Sequence, residues 1–506
     1  MRKTSNLRAG HSLLASLCLG ALMPLAFAPF EFWWLIPLLV AAHFFCWIGL
    51  SPKPAFWRGF AFGAGAFLTG TYWLYHSIVV IGQVPLALAL VLMLGMVAIM
   101  AIYFGLNAAL IMRYSRGSSA CAAMMLPFVW ILTEWLRGWV LSGFPWLTAG
   151  SSLPDTLLGG WLPVGGVYLG SFILIFFASI LVLMIQQTGY RRFVVLALAG
   201  AVGLTSWALH DRDWSRDLDA TLQVSIGQLG LDQSLKWERD QFQKTLKWYA
   251  DFVVGSAEAD LILMPEVAIP AVAARVEGYL GQLAQVARAR DQTLATGILN
   301  QPSGQQPSNA ILVIGGQEQQ WYEKRRLVPF GEYFPVPAFV RNWMKLRGLP
   351  YSDIRSGERD QAPLTVGRFK AAASICYEDA YAALQLNFFP DAALIINVSN
   401  DAWFGDSIAP HQHLQIARTR SAESQRWQAR STNSGITALI DHRGHLVARV
   451  PAFEPAILAG ELQMRAGHTP YTRFGNLPIL LLGVIGLAAI SLLGRNASRT
   501  GLPERQ

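Results

Sequence analysis

The chain has 506 residues, enough for more than one domain. Charged residues are only 14% and apolar residues 53%, with 18 Trp, whereas a soluble domain carries about 25% charge; this excludes a fold solvated by water alone and points to a bilayer. The formal net charge of +8 is modest, and no Lys/Arg run interleaves with aromatics, which argues against a nucleic-acid partner.

Seven apolar stretches fill the first two-fifths of the chain, over 11–30, 33–50, 57–75, 85–112, 120–141, 164–186 and 193–209, and an eighth covers 477–493. Most reach the roughly 18–20 residues needed to cross the hydrocarbon core. Loop charge gives an independent check. Arg2, Lys3 and Arg8 precede the first stretch, Lys53 and Arg58 flank the second loop, and Arg113, Arg116, Arg191 and Arg192 occupy the fourth and sixth. Arg495, Arg499 and Arg505 follow the last. With eight spans all of these fall on one side, so the positive-inside rule predicts that both termini are cytoplasmic. The run Ala26-Phe27-Ala28 resembles a signal-peptide cleavage site, but Pro29 follows it, and the first stretch is read as retained.

Between the seventh and eighth stretches lies a polar segment of α/β texture, placed outside the cytoplasm by the same charge pattern. Short buried strands are predicted over 221–226, 260–264, 293–298, 310–314, 371–375, 392–398 and 435–440. Amphipathic helices are predicted over 237–255 and 276–290, and Asp441-His442-Arg443-Gly444 reads as a hairpin turn. The domains are therefore 1–210 with seven helices, 211–472 as the α/β part, and 473–506 with the eighth helix.

Three clusters in the polar segment carry chemistry, each near the end of a predicted strand. Leu263-Met264-Pro265-Glu266 aims a carboxylate rigidly, as a general base requires. Tyr322-Glu323-Lys324 offers a cation for a reacting carbonyl oxygen. Ser374-Ile375-Cys376-Tyr377-Glu378 delivers a thiol, which becomes nucleophilic beside a cation or base. Each has a bland alternative: a solvated strand-end glutamate, a basic surface strand, a buried structural cysteine. Location weakens the last. Cys18, Cys46 and Cys121 lie in apolar stretches, so Cys376 has no partner in its own domain and would be an unpaired thiol in an oxidising compartment. No CxxC occurs.

Glu, Lys and Cys in that order, with Ser399-Asn400-Asp401-Ala402-Trp403-Phe404 after the cysteine, resemble the nitrilase superfamily. The full arrangement, together with Glu134-Trp135-Leu136-Arg137-Gly138, Gly143-Phe144-Pro145-Trp146, Gln233-Ser234-Leu235-Lys236-Trp237, Leu327-Val328-Pro329-Phe330-Gly331-Glu332 and Arg430-Ser431-Thr432-Asn433, resembles the apolipoprotein N-acyltransferase family. That resemblance implies eight transmembrane helices plus an α/β nitrilase-like αββα sandwich, in the inner membrane of a bacterium with the catalytic domain in the periplasm. It implies Cys376 as nucleophile, Glu266 as general base and Lys324 as stabiliser of thiolate and oxyanion. Glu332, Glu378 and Tyr377 would be supporting residues, and Trp237 and Asn309 substrate-binding ones. The implied partners are a phospholipid acyl donor, a diacylglyceryl apolipoprotein acceptor and the lipid bilayer. A monomer with no cofactor and no metal is expected.

The apolar and basic run 337–351 reads as an interfacial arm gating the site. His411 and His413 lack a third ligand by spacing, and Glu134 and Arg137, three apart on one helix, read as a local ion pair. The rival functions are a membrane-tethered amidase or nitrile hydrolase using the same triad with water as acceptor, and a non-enzymatic transporter or scaffold.

Overall fold

The computed structural model describes residues 2–333 and 354–499. The run 337–351, expected as an interfacial arm, lies outside the described residues. The chain divides into two compact units: Met1–Arg212 with Ser407–Gln415 and Phe474–Gln506, and Asp213–Asp406 with Ile416–Arg473.

The first unit is helical. Every apolar stretch of the sequence coincides with a helix: α1 (Arg2–Ala21), α2 (Leu35–Trp47), α3 (Pro52–Gly70), α4 (Leu86–Tyr114), α5 (Ser119–Arg137), α6 (Leu162–Gln186), α7 (Tyr190–His210) and the last helix of the chain, Leu477–Arg499. Among the described residues four helices are long and apolar enough to cross a membrane: α4, α5, the segment Leu157–Gln186 that contains α6, and α7. Helix α2 has 13 residues, about 20 Å at 1.5 Å per residue, short of a full hydrocarbon core. Close helix contacts require small residues here. A Cβ on Gly59 would stand 2.2 Å from the carbonyl oxygen of Phe104 in α4, and one on Gly65 would stand 2.1 Å from that of Leu17 in α1. Glycines on α3 thus let two neighbours approach backbone to backbone, the usual basis of helix association where burial drives nothing.

The second unit is built on two sheets. The strands are β1 (Arg216–Gln228), β2 (Leu261–Leu263), β3 (Ile269–Val272), β4 (Thr293–Asn300), β5 (Ser308–Ile314), β6 (Gln320–Glu323), β7 (Leu364–Val366), β8 (Phe369–Ile375), β9 (Ala392–Ser399), β10 (Trp427–Thr432), β11 (Ala438–Ile440), β12 (Leu446–Arg449) and β13 (Ala456–Ala466). One sheet runs β13-β1-β2-β4-β5-β6, with β3 beside β4, and the other runs β12-β11-β10-β9-β8-β7. All seven predicted strands are present. The expected turn at 441–444 joins the antiparallel pair β11 and β12.

Strand alternation sets the layers. Val224, Ile226, Leu261, Leu263 and Ala295 of the first sheet face Ala371, Ala373, Leu394, Ile396 and Val398 of the second in one core. The opposite face of the first sheet, with Ile262, Met264, Leu294 and Ile298, is covered by α8 (Arg239–Gly255) and α9 (Glu277–Ala289) through Tyr249, Phe252, Leu280 and Leu283. Helix α10 (Ala409–Ser424) meets the second sheet, where Ser421 Oγ donates to Gln428 Oε1 at 3.0 Å and Arg418 Nε to the Gly444 carbonyl at 2.7 Å. Burying each Leu, Ile or Val side chain of these layers contributes about 1.5–3 kcal/mol. The sandwich is thereby rigid enough to hold groups at its strand ends.

Candidate active site

The site lies where β2, β6 and β8 end. Met264 and Pro265 follow β2 and deliver Glu266, which is 6% exposed. Lys324 follows β6 directly and is 1% exposed. Its Nζ lies 3.1 Å from Glu266 Oε1 and 2.9 Å from Glu332 Oε1. One ammonium therefore serves two carboxylates. Burial alone would pull the Lys324 pKa down, but Glu266, Glu332 and the Cys376 sulfur more than offset it and hold the amine well above its ordinary value. Lys324 is a fixed positive charge.

Asn309, expected at the substrate wall, spends its Nδ2 on both carboxylates, at 2.6 Å from Glu266 Oε1 and 3.0 Å from Glu332 Oε1. The other oxygen of Glu332 accepts from the backbone N–H of Val328 at 2.8 Å. Glu332 is thus oriented by backbone, amide and ammonium together.

Cys376 follows β8 in a left-handed backbone conformation, φ +53°. A non-glycine residue in that region costs roughly 1–2 kcal/mol, a strain that persists only where surrounding structure fixes it. Three alanines, 371–373, precede it with no exposure, so β8 is clamped on both faces. Burial pushes the thiol pKa up. Glu266 and Asp401 push the same way, and Lys324 and a hydrogen bond to Ser399 oppose them. The thiol, not the thiolate, is the resting form. A thiol held in this form needs an adjacent base before it can serve as a nucleophile.

Glu378 ties the lysine and cysteine segments together. Its Oε1 accepts from the backbone N–H groups of Arg325 and Arg326 at 2.6 and 3.2 Å, and its Oε2 from Ile375 N at 2.8 Å and Tyr322 OH at 2.9 Å. Two of those donors flank Lys324 and a third flanks Cys376. Burial raises the Glu378 pKa, against Arg325 and these bonds. Tyr377 is buried, its ring edge-on to Tyr381 at 5.2 Å.

Behind Cys376 sits a buried polar network that the sequence reading did not nominate. Arg430 donates to Asn397 Oδ1 at 2.6 Å, to Asp401 Oδ2 at 3.1 Å and to Asp379 Oδ2 at 3.3 Å. Ser374 Oγ donates to Asp379 Oδ1 at 2.6 Å. No local signal announced it, because the strand that carries Arg430 is polar in sequence; only its burial shows that the arginine demands paired acids. Lys236 was missed as well. It is 3% exposed, and its Nζ donates to the Glu266 carbonyl at 3.1 Å, while neighbouring Trp237 is 56% exposed.

In the helical unit, Glu134 Oε1 accepts from Trp130 Nε1 at 3.3 Å and Ala149 N at 3.0 Å, with Arg137 Nη2 at 3.8 Å. Arg137 also donates to the carbonyls of Phe144 and Trp146. The pair is largely spent on local backbone.

Residues 19–180 match the apolipoprotein N-acyltransferase N-terminal domain family, and residues 220–471 match the carbon-nitrogen hydrolase family. The chain is 39% identical over 500 residues to an apolipoprotein N-acyltransferase of Azotobacter vinelandii, covering 96% of both chains. The chain belongs to the apolipoprotein N-acyltransferase family. Other members are similarly related: one from Pseudomonas aeruginosa is 39% identical over 96% of both chains, and one from Chromobacterium violaceum is 35% identical over 97% of this chain and 94% of its own. The family's two parts, a helical domain and a carbon-nitrogen hydrolase domain, correspond to the helices and the two-sheet sandwich described above.

Proposed function

We propose that the chain moves one fatty acyl chain from a phospholipid to Cys376 and then to the α-amino group of the S-diacylglyceryl cysteine at the N-terminus of an apolipoprotein. The observation that carries this reading is a Lys324 ammonium fixed between Glu266 and Glu332 and acting on the Cys376 thiol, in a chain with near full-length relatives of that activity's name.

In the first half-reaction Glu266 takes the thiol proton as sulfur attacks the ester carbonyl. The carbonyl oxygen becomes an oxyanion, which Lys324 stabilises. Collapse breaks the C–O bond, Glu266 returns the proton to the glycerol oxygen, and lyso-phospholipid leaves. In the second, the neutral amine attacks the thioester, Glu266 takes its proton, and the amide forms as the thiol is restored. Glu332, Glu378 and Asn309 hold the reacting groups in place. Leu235, Trp237 and Phe330, exposed on the loops that carry Lys236 and Glu332, offer apolar surface to acyl chains and help exclude water from the thioester.

The test is intact-mass measurement after exposure to phospholipid. A single acyl adduct on Cys376, discharged by a diacylglyceryl lipopeptide amine, is expected. The carbon-nitrogen hydrolase match also suits an amidase, and steady release of free fatty acid without amide product would favour that reading instead.

We further propose eight spans, with both termini cytoplasmic and residues 211–472 in the periplasm of a bacterial inner membrane, the enzyme acting as a monomer. Eight helices at the predicted positions and the one-sided loop arginines support this. Single cysteines introduced at Arg116 and Arg191 in a Cys-free chain should resist an impermeant maleimide in intact cells. One at Glu318 should react within minutes. Labelling of the first two in sealed cells would refute the orientation.

A further inference from the structure

The loop between β1 and α8 has an inverted pattern. Leu235 and Trp237 are 42% and 56% exposed, whereas Lys236 between them is 3% exposed. The loop is pinned on strand ends of the second sheet. Asn400 Nδ2 donates to Gln233 Oε1 at 2.7 Å, and Asn433 bonds Leu231 O and Gly230 N at 2.9 and 2.8 Å. These tethers drive the lysine inward, where its Nζ donates to the main-chain carbonyl of Glu266 at 3.1 Å. Among the described residues no carboxylate stands within ion-pair distance of that nitrogen. Glu266 is therefore held by two amines, Lys324 on its carboxylate and Lys236 on its backbone.

The two lysines differ in charge behaviour. The groups acting on Lys236 are Glu266, after β2, and Cys376, after β8; Asp232 of its own loop is engaged by Ser234. Burial outweighs both favourable partners and brings the Lys236 pKa down to about 8.

We infer that Lys236 is a second cation of the acyl-transfer site, a positioning residue that fixes the Glu266 main chain and adds positive charge beside the Cys376 sulfur only while it is protonated. The inference rests on the proposed thioester mechanism for its significance. Its test does not, because it needs no lipid.

The experiment follows alkylation of Cys376 by iodoacetamide in the full chain in detergent micelles, read by mass spectrometry from pH 6 to 10. The wild-type rate should rise with pH, flatten near pH 8 as Lys236 loses its proton and the thiol becomes harder to ionise, and then rise again. Lys236→Arg, permanently charged, should rise without that shoulder. Lys236→Met should react about tenfold more slowly at pH 7, equal to one unit on the thiol pKa. A wild-type profile with no break between pH 7 and 9 overturns the inference, even if both variants misfold. So does a shoulder that persists in folded Lys236→Arg. A purely structural lysine would change rates in the variants without moving the shoulder. Failure of the acyl-transfer reading would appear separately, as absence of a lipid-derived adduct on a normally alkylating Cys376.

Discussion

Cys376→Ser lowers acyl transfer by on the order of 10⁴-fold or more and abolishes the lipid-derived mass adduct. The argument starts from acidity. Burial and two nearby carboxylates already disfavour ionisation of the thiol. A hydroxyl in the same place starts several units less acidic, and the same base cannot compensate. The change is nearly isosteric, and serine meets the same backbone at φ +53° that cysteine does. The folded state should therefore be almost unaffected, and the melting temperature in detergent should stay within about 3 °C of wild type, the equivalent of about 1 kcal/mol. The measurement is a paired one, adduct mass and melting curve on the same preparation. An adduct that survives in Cys376→Ser, or maps to Cys18, Cys46 or Cys121, would remove the proposed nucleophile.

Lys324→Met should do two separable things. Loss of the oxyanion donor lowers the acylation rate by about 10²–10³-fold, roughly 3–4 kcal/mol. Loss of the cation also leaves Glu266 and Glu332 facing each other in a buried site, which costs about 3–5 kcal/mol of stability. The sign of the pH dependence follows from the raised pKa of this lysine. Its stabilising contribution is full below the amine's unfolded pKa and is lost only as pH climbs toward the folded value. The stability deficit of Lys324→Met should thus be undiminished across neutral pH and shrink only in strong alkali. Adding Glu332→Gln removes one of the two uncompensated charges. The double variant should regain much of the stability and none of the rate. Recovery of rate in the double variant would mean that Lys324 only neutralises Glu332.

These two residues and Glu266 were legible in the sequence. Glu266 and Cys376 follow short apolar strands that the sequence announces, whereas Lys324 follows the unanticipated β6 and was legible through the order Glu, Lys, Cys, which carried a family resemblance. Trp237 was nominated only through the family resemblance. Asn309 too was nominated only through the resemblance, and its bonding to two carboxylates was not legible, since Glu266 and Glu332 reach it from 43 and 23 residues away. Strands β3, β6, β7, β10, β12 and β13 were not anticipated. Four of them have only three or four residues, too short for periodicity to register. β10 carries Gln428, Arg430, Ser431 and Thr432, all buried, so its polarity hid a central strand.

By itself the sequence determined the two-part organisation and the helical positions of the apolar stretches, and it nominated the three groups proposed to react, because apolar periodicity and strand-end punctuation are encoded residue by residue. Only the tertiary structure decided how those groups share charge: one ammonium between two acids, a strained thiol kept protonated, an arginine neutralised behind it, and a second lysine turned inward by bonds to remote asparagines. The reason is physical. Burial and Coulomb energy depend on distances across the fold, and those distances exist only once two sheets have packed and brought separated strand ends within a few ångströms of one another.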